Sequence, residues 1–147
     1  MSSFHMHEGM FELAEGWTDQ SMHVLSRALP SGKLASLVIN REPLDGPTFD
    51  AHVESVLKKL RSQLPRFTTR SRADVEVGER TVHLVSCSFR QGGAEYAQVL
   101  AFLQLEVDFP APTARVVTFT MTAPSASEAP ARAELMSILE SLRLRRV

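Results

Sequence analysis

Hydrophobic and polar residues alternate with a period of two over much of the chain, which is typical of β-strands that present two different faces. The alternating stretches are bounded by glycine, proline and other turn residues, as strands usually are. The stretches are residues 3–13 around Gly9 (two short strands or a hairpin), 20–27, 34–41, 67–77, 81–89, 94–107 and 114–121. The pattern therefore predicts a chain built mainly from strands.

Two other stretches have the period of about 3.6 residues that indicates an amphipathic helix. In the first, Pro47 is predicted to lie in the first turn and Pro65 to end the helix. In the second, Ser127 is predicted to cap the helix start. The apolar stripe of the first helix consists of Phe49, Val53, Val56, Leu57, Leu60 and Leu64, and that of the second of Leu135, Ile138, Leu139 and Leu142.

This order of elements predicts one α+β domain over residues 1–147, with a largely antiparallel sheet of about six or seven strands and two main helices. Several strands are apolar on both faces, such as residues 94–105 with Leu103 on one face and Leu100 on the other. A helix about 10–12 Å wide covers roughly two strands spaced about 4.8 Å apart. Two helices therefore leave apolar surface uncovered, and either the sheet curls on itself or another chain covers part of it.

Composition narrows the class of protein further. The chain has 147 residues, 44% of them hydrophobic and 22% charged, which is typical of a globular domain. Its formal net charge of −1 gives no general attraction to nucleic acid or to anionic lipid. The start of the chain lacks the features of a signal peptide, and no run of about 18 apolar residues exists, so we expect a cytoplasmic protein that does not insert into a membrane.

No catalytic or metal-binding signature is visible. The sequence contains no GxSxG, no glycine-rich phosphate loop and no HExxH. His5 and His7 could share a strand face, but two histidines without a third ligand do not make a metal site. Cys87 lies in an alternating apolar run and is predicted to be an inert core residue, whereas His52, on the first helix, is predicted to be a solvated or rim residue. We therefore predict a protein that is not an enzyme and has no cofactor.

One stretch carries a family resemblance. The run "MHEGMFELAEGWTDQSMHVL", residues 6–25, resembles the start of the Eag chaperones of type VI secretion systems, which belong to the DcrB-like family. "ASLVINRE" (35–42) resembles the second strand of that family, and "FDAHVESVLKKLRSQLPRF" (49–67) resembles its helix ending in Gln-Leu-Pro-x-Phe. The most specific match at the start is the cluster of Trp17, Asp19, Gln20 and Ser21.

The resemblance implies a Mog1/PsbP-like fold with a curved sheet, and a small homodimeric chaperone. Such chaperones hold the hydrophobic N-terminal transmembrane segments of effectors that carry a PAAR domain, often Rhs toxins, until the effector is loaded for secretion. An apolar groove can shield such a segment from water by burial. Two alternatives remain open from the sequence: a non-catalytic assembly or structural factor of the DcrB/PsbP-like fold group, and an enzyme with an unrecognised site.

The resemblance also assigns site residues. The client-binding groove is predicted to consist of Met22, Val24, Val56, Leu60, Leu64, Tyr96 and Gln98. The family has a glutamine where this chain has Val56. A second family glutamine falls on Gln98 if a turn is shortened, and on Leu100 in a gapless alignment.

The cluster from Trp17 to Ser21 is interpreted as structural. Trp17 would anchor the start of the following strand, and the polar residues would fix its register so that Met22 and Val24 face the groove. Direct contact of this cluster with a client or a partner subunit is the alternative.

Overall fold

The computed structural model describes residues 2–6, 9–13, 22–30, 32–44, 46–107 and 113–143, and of residues 2–6, 9–13, 106–107 and 113–114 it describes the backbone alone. Within these ranges the predicted strands and helices are all present. They are β1 (Ser2–Met6), β2 (Gly9–Leu13), β3 (Met22–Ala28), β4 (Leu34–Pro43), α1 (Phe49–Gln63), β5 (Thr68–Val77), β6 (Arg80–Gln91), β7 (Ala94–Val107), β8 (Thr113–Pro124), a 3-10 turn (Ser125–Ser127) and α2 (Glu128–Ser141).

The strands form two antiparallel sheets. β1 and β2 pair as a two-stranded sheet, with Phe4 opposite Phe11. The other strands form a six-stranded sheet in the order β3-β4-β8-β7-β6-β5, and every neighbouring pair in it is antiparallel. The predicted α+β class and antiparallel sheet are therefore confirmed, and β3 and β5 are the edge strands of the main sheet.

The two helices begin differently from the prediction. In α1 the cap is Thr48, whose side-chain oxygen accepts a hydrogen bond from the Ala51 N–H at 3.1 Å, so Pro47 precedes the cap and the prediction that it lies in the first turn was wrong. In α2 Ser127 occupies the cap position, but its side chain makes no capping bond. The Ser127 backbone (φ −107°, ψ 16°) is not extended as in a usual cap, and the third helical residue, Pro130, has no N–H to donate. The end of α1 before Pro65 agrees with the prediction.

Each helix covers one face of the main sheet. On the face that α1 covers, Val53 and Leu57 belong to the same core cluster as Val85, Cys87, Leu100 and Phe102 of β6 and β7. On the opposite face, Ala131, Leu135 and Leu139 of α2 pack with Leu84, Val99 and Ala101. The central strands are apolar on both faces because both faces are covered. We call these the α1 face and the α2 face.

Two core residues test the sequence predictions directly. Cys87 is 0% exposed, as predicted, and burial raises the pKa of its thiol to about 11. His52 is also 0% exposed, so the prediction of a solvated or rim residue was wrong. His52 lies three residues after Phe49 and four before Val56, which places it on the side of α1 that meets the sheet.

Candidate functional site

The least covered apolar surface of the described chain lies at the β3–β4 end of the main sheet. All seven residues of β3 are exposed. The large hydrophobic side chains that are exposed in the described part of the chain are Met22 (56%), Val24 (66%), Leu25 (54%) and Leu34 (65%). All four belong to β3 or β4, so the exposed apolar surface lies at one end of the main sheet. The strand 94–105, which the sequence analysis named as apolar on both faces, is instead covered on both, with Leu100 and Leu103 buried.

The strand register assigns each of these side chains to a face, because residues opposite each other in an antiparallel pair share a face. Val24 starts a row that continues through the strands as Val38, Thr120, Leu100 and Val85. Met22 starts a parallel row of Asn40, Thr118, Phe102 and His83, and Ser26 one of Ser36, Thr122, Gln98 and Cys87. Met22 and Val24 therefore lie on the α1 face, and Leu25 lies on the α2 face.

The helix α1 forms one wall beside this surface. Val56, Leu60 and Leu64 are half-buried and pack against the core cluster beneath α1. Tyr96 is also half-buried and stacks on Phe89, with ring centroids 5.4 Å apart and an interplanar angle of 19°. These four predicted groove residues therefore share one hydrophobic cluster.

The structure does not join that cluster directly to Met22 and Val24. β4 and β8 lie between β3 and β7, a separation of three strand spacings or roughly 14 Å. The predicted groove residues thus lie on both sides of the α1 face of β3, β4 and β8, which we call the strip. Gln98 of β7 lies at the side of the strip next to α1.

The floor of this strip consists of residues that the sequence prediction did not name. They are mostly hydroxyl-bearing side chains of the α1 face: Ser36, Val38, Thr118, Thr120 and Thr122. The signal was available in the stretch "TFTMT" (118–122), where threonine alternates with core residues and so lines one face. The strip is therefore apolar at its β3 rim and polar in its centre.

Two buried polar atoms of this floor have no hydrogen-bond partner among the described residues. The Gln98 Nε2 donates to Thr122 Oγ1 at 3.2 Å, but Gln98 Oε1 is buried and unpartnered. The Thr118 Oγ1 is likewise buried and unpartnered. An unsatisfied buried polar atom costs about 1–3 kcal/mol, so these atoms can gain from a bound polar group.

Both candidates for the second family glutamine position lie on the α1 face. Leu100 is 2% exposed and belongs to the core under α1. Gln98 is 7% exposed and hydrogen-bonded to the floor residue Thr122. Of the two, only Gln98 offers the floor a polar group.

A chain of polar contacts holds α1 against the opposite edge of the sheet. Glu54 of α1 pairs with Arg72 of β5, and the Arg72 Nε donates to His83 Nε2 at 3.2 Å. The His83 Nδ1 lies 2.7 Å from Asp74 Oδ1. Phe49 packs edge-on against the His83 ring, with centroids 6.4 Å apart. These contacts therefore fix the position of α1 from the β5 side of the sheet.

A cavity of about 260 Å³ opens on the α2 face, away from the strip. Its lining is mainly apolar and includes Leu25, Leu37 and Ile138. The ion pair between Arg27 and Glu134, at 2.6 Å, also borders it. None of the predicted groove residues lines this cavity.

Several predictions fall partly or wholly outside what the structure describes. Trp17, Asp19, Gln20 and Ser21 lie outside the described residues, as do His7 and the side chain of His5. Among the residues that are described, no three His, Cys, Asp or Glu side chains are grouped so that they could hold a metal ion. No helix in that part of the chain is long and apolar enough to cross a membrane.

Comparison with known proteins gives the family. Residues 8–141 match the family model of DcrB. The chain is similar to a protein named Effector EagT6 from Pseudomonas aeruginosa, with 26% identity over 126 residues and 83% of each chain covered.

Two solved structures share the fold. The structure of PA94, a protein of unknown function from Pseudomonas aeruginosa, superposes with a TM-score of 0.75 at 23% identity and covers 100% of this chain and 99% of its own. The structure of LpqN, involved in cell envelope biogenesis of Mycobacterium tuberculosis, has a TM-score of 0.57 at 13% identity, covering 84% of this chain and 80% of that one. These structures support the predicted Mog1/PsbP-like architecture, and the family match confirms the DcrB-like resemblance: the chain belongs to the DcrB family.

Proposed function

We propose that this protein is a cytoplasmic chaperone of type VI secretion effectors. It binds the hydrophobic N-terminal transmembrane segments of an effector that carries a PAAR domain, as Rhs-type effectors do, and keeps them in solution before loading. It acts as a homodimer and performs no catalysis. Membership of the DcrB family and similarity to Effector EagT6 support this assignment.

The observation that carries the proposal is the strip beside α1, whose β3 side is exposed along its whole length. Its three strands β3, β4 and β8 span roughly 14 Å, and a helix is about 10–12 Å wide. β4 has 10 residues and is therefore about 34 Å long, close to the 30 Å of a 20-residue transmembrane helix. The strip thus has the dimensions of one such helix.

The chemistry of the strip suits the same client. Met22, Val24 and the half-buried side of α1 can bury apolar side chains at about 25 cal/mol per Å². Transmembrane helices often carry small residues that expose their backbone for close packing. Gln98 Oε1 and Thr118 Oγ1 are buried and unpartnered, and a change of side-chain rotamer would bring either atom to a polar group of the client at those places.

Co-expression tests the function. The chain is produced together with the N-terminal region of a PAAR-domain effector from the same genome, and complexes are isolated by affinity purification and size-exclusion chromatography with light scattering. We expect a soluble complex of the two chains. A soluble protein that leaves the effector segment aggregated would instead favour an assembly or structural factor with another protein partner.

Substitution of Met22→Asp together with Val24→Asp tests the site. Both side chains are more than half exposed, so the fold should survive, whereas two carboxylates on the strip should abolish recovery of the client. The matched control is Ser71→Asp with Ala73→Asp, two exposed positions on the other edge strand. Circular dichroism checks the fold of both variants. Undiminished client recovery by a folded Met22/Val24 variant would show that the client binds elsewhere.

A further inference from the structure

We propose that two copies of the chain join through β3, whose free edges pair antiparallel about a two-fold axis at Leu25, and that this pairing completes the client site. The part that concerns the client rests on the function proposed above. The pairing itself rests on the exposure, register and chemistry of the two sheet edges.

Among the described residues, no strand pairs with the outer edge of β3. A free sheet edge usually carries charges, proline or a bulge that prevents pairing with another chain. β3 instead exposes apolar side chains on both faces, with Met22 and Val24 on one and Leu25 on the other. A client in the strip would cover the first face alone, whereas a paired strand contacts both faces of the edge.

The edge at β5 is protected. Its sequence "TTRSRADVEV" carries an arginine or an acidic residue at every second position from Arg70 to Glu76, and its pairing with β6 is interrupted by a register shift between Thr69 and Ser71. Charges and bulges of this kind block strand addition. One open and one blocked edge favour a closed dimer over a growing sheet.

The hydrogen-bond pattern of the β3–β4 hairpin shows which backbone groups of β3 can bond to another strand. The Leu29 N–H donates to the Lys33 carbonyl at 2.8 Å at the turn. Because antiparallel partners alternate between bonded and non-bonded pairs, the backbone groups of Val24 and Ser26 then point away from β4. They are available to a strand added at this edge.

An axis at Leu25 pairs the whole strand, because Leu25 is the middle residue of the seven in β3. Leu25 then meets Leu25 of the second copy, Val24 meets Ser26, and Met22 meets Ala28. Each large apolar side chain is therefore opposite either the identical side chain of the second copy or a small residue. The one cation of β3, Arg27, is held by Glu134 at 2.6 Å and lies opposite the imidazole of His23.

A two-fold axis at Leu25 also determines where the client surfaces of the two copies lie. Antiparallel pairing of identical edges places the α1 faces of both copies on the same side of one continuous sheet. The strip of one copy, which has a wall on one side, then becomes half of a trough with a wall of α1 on each side. Its floor runs β8-β4-β3-β3-β4-β8, six strands or about 29 Å wide. Pairing therefore gives the client surface the second wall that a single copy lacks.

Charge-swapped variants at Leu25 test the pairing. Leu25 is on the α2 face, so its substitution does not alter the strip. We expect light scattering to give twice 16.3 kDa for the native chain and 16.3 kDa for Leu25→Lys and for Leu25→Glu alone. A mixture of the two variants should return to the doubled mass, because opposite charges meet at the axis. Ala73→Lys, at the exposed position of the other edge, should remain dimeric.

Cysteine cross-linking tests the register. Non-bonded antiparallel pairs have Cα atoms about 4.5 Å apart, which permits a disulfide. Leu25→Cys should therefore form a covalent dimer on oxidation, whereas Val24→Cys, placed opposite Ser26, should not. The native Cys87 is buried and does not compete. A monomeric native chain, or a doubled mass in both single charge variants, would overturn the proposal.

The client assay separates the two proposals. If Leu25→Cys cross-links but the native chain leaves the effector segment aggregated, the pairing stands and the chaperone function fails. If the native chain recovers the client and Leu25→Lys is still dimeric, the function stands and the β3 pairing fails. If both proposals are right, monomeric Leu25→Lys should recover markedly less client than Ala73→Lys.

Discussion

At the scale of single residues, the floor of the strip shows a conflict between stability and binding. Gln98 and Thr118 are buried in the sheet yet retain polar atoms without partners among the described residues. A protein optimised for stability alone would carry apolar side chains there, because an unsatisfied buried group costs free energy. These two residues are therefore the places where we expect binding to have determined the residue type.

Substitution of Thr118→Val tests this trade-off. It removes the unpartnered hydroxyl while nearly keeping the shape, so the free energy of unfolding should rise by about 1 kcal/mol. Client recovery should fall, because a floor contact is lost. The free energy is measured by urea denaturation.

The control for this prediction is Thr120→Val, on the same face but half-buried. It should change the free energy of unfolding by less than about 0.5 kcal/mol. A loss of stability in Thr118→Val would mean that the hydroxyl has a partner in the folded chain.

At the scale of elements, α1 acts both as core and as wall. One side of the helix buries Val53 and Leu57 against β6 and β7, and Val56 and Leu60 stand half-buried at the border of the strip. Its start is held by Thr48, whose side chain accepts the Ala51 N–H at 3.1 Å. The wall therefore depends on a helix whose first turn needs its cap.

Removal of the cap by Thr48→Ala should lower the free energy of unfolding by about 1 kcal/mol, because the Ala51 N–H loses its acceptor. Hydrogen exchange should show faster exchange of that amide. Thr48→Ser retains the hydroxyl and should behave like the native chain in both measurements. Equal stability of the alanine and serine variants would show that the cap contributes nothing.

At the scale of the whole molecule, the two cores share one set of strands. Leu100 of β7 belongs to the core under α1, and the adjacent Val99 belongs to the core under α2. Displacement of these strands removes the support of both cores together. We therefore expect the main sheet and its two helices to unfold in one cooperative transition.

Substitution of Leu135→Ala in the α2 core tests this coupling. Leu135 is 0% exposed, so the loss should be about 2–5 kcal/mol. Circular dichroism and thiol labelling of Cys87, in the other core, should give the same urea midpoint. Burial raises the pKa of the Cys87 thiol to about 11, so the thiol should react only after unfolding.

The control for this prediction is Ser137→Ala on the exposed side of α2, which should leave both midpoints near native. Loss of the dichroism signal while Cys87 stays protected would mean that the cores unfold separately.

The amino-acid pattern alone determined which segments are strands or helices and which residues share a face. It placed Met22 and Val24 on one side of β3 and Leu25 on the other, because side-chain direction follows from a local period of two. It also predicted Cys87 as core and an excess of apolar surface. These features depend on neighbours in the sequence, so a single chain reveals them.

Only the tertiary structure decided which segments lie side by side. The strand order puts β8 between β4 and β7, and so makes Thr118 and Thr122 the floor between Met22 and Gln98. The same order puts β3 at an edge of the main sheet, and the packing of α1 on the sheet buries His52. Strand order arises from pairing between segments far apart in the sequence, and a period along the chain carries no information about that pairing.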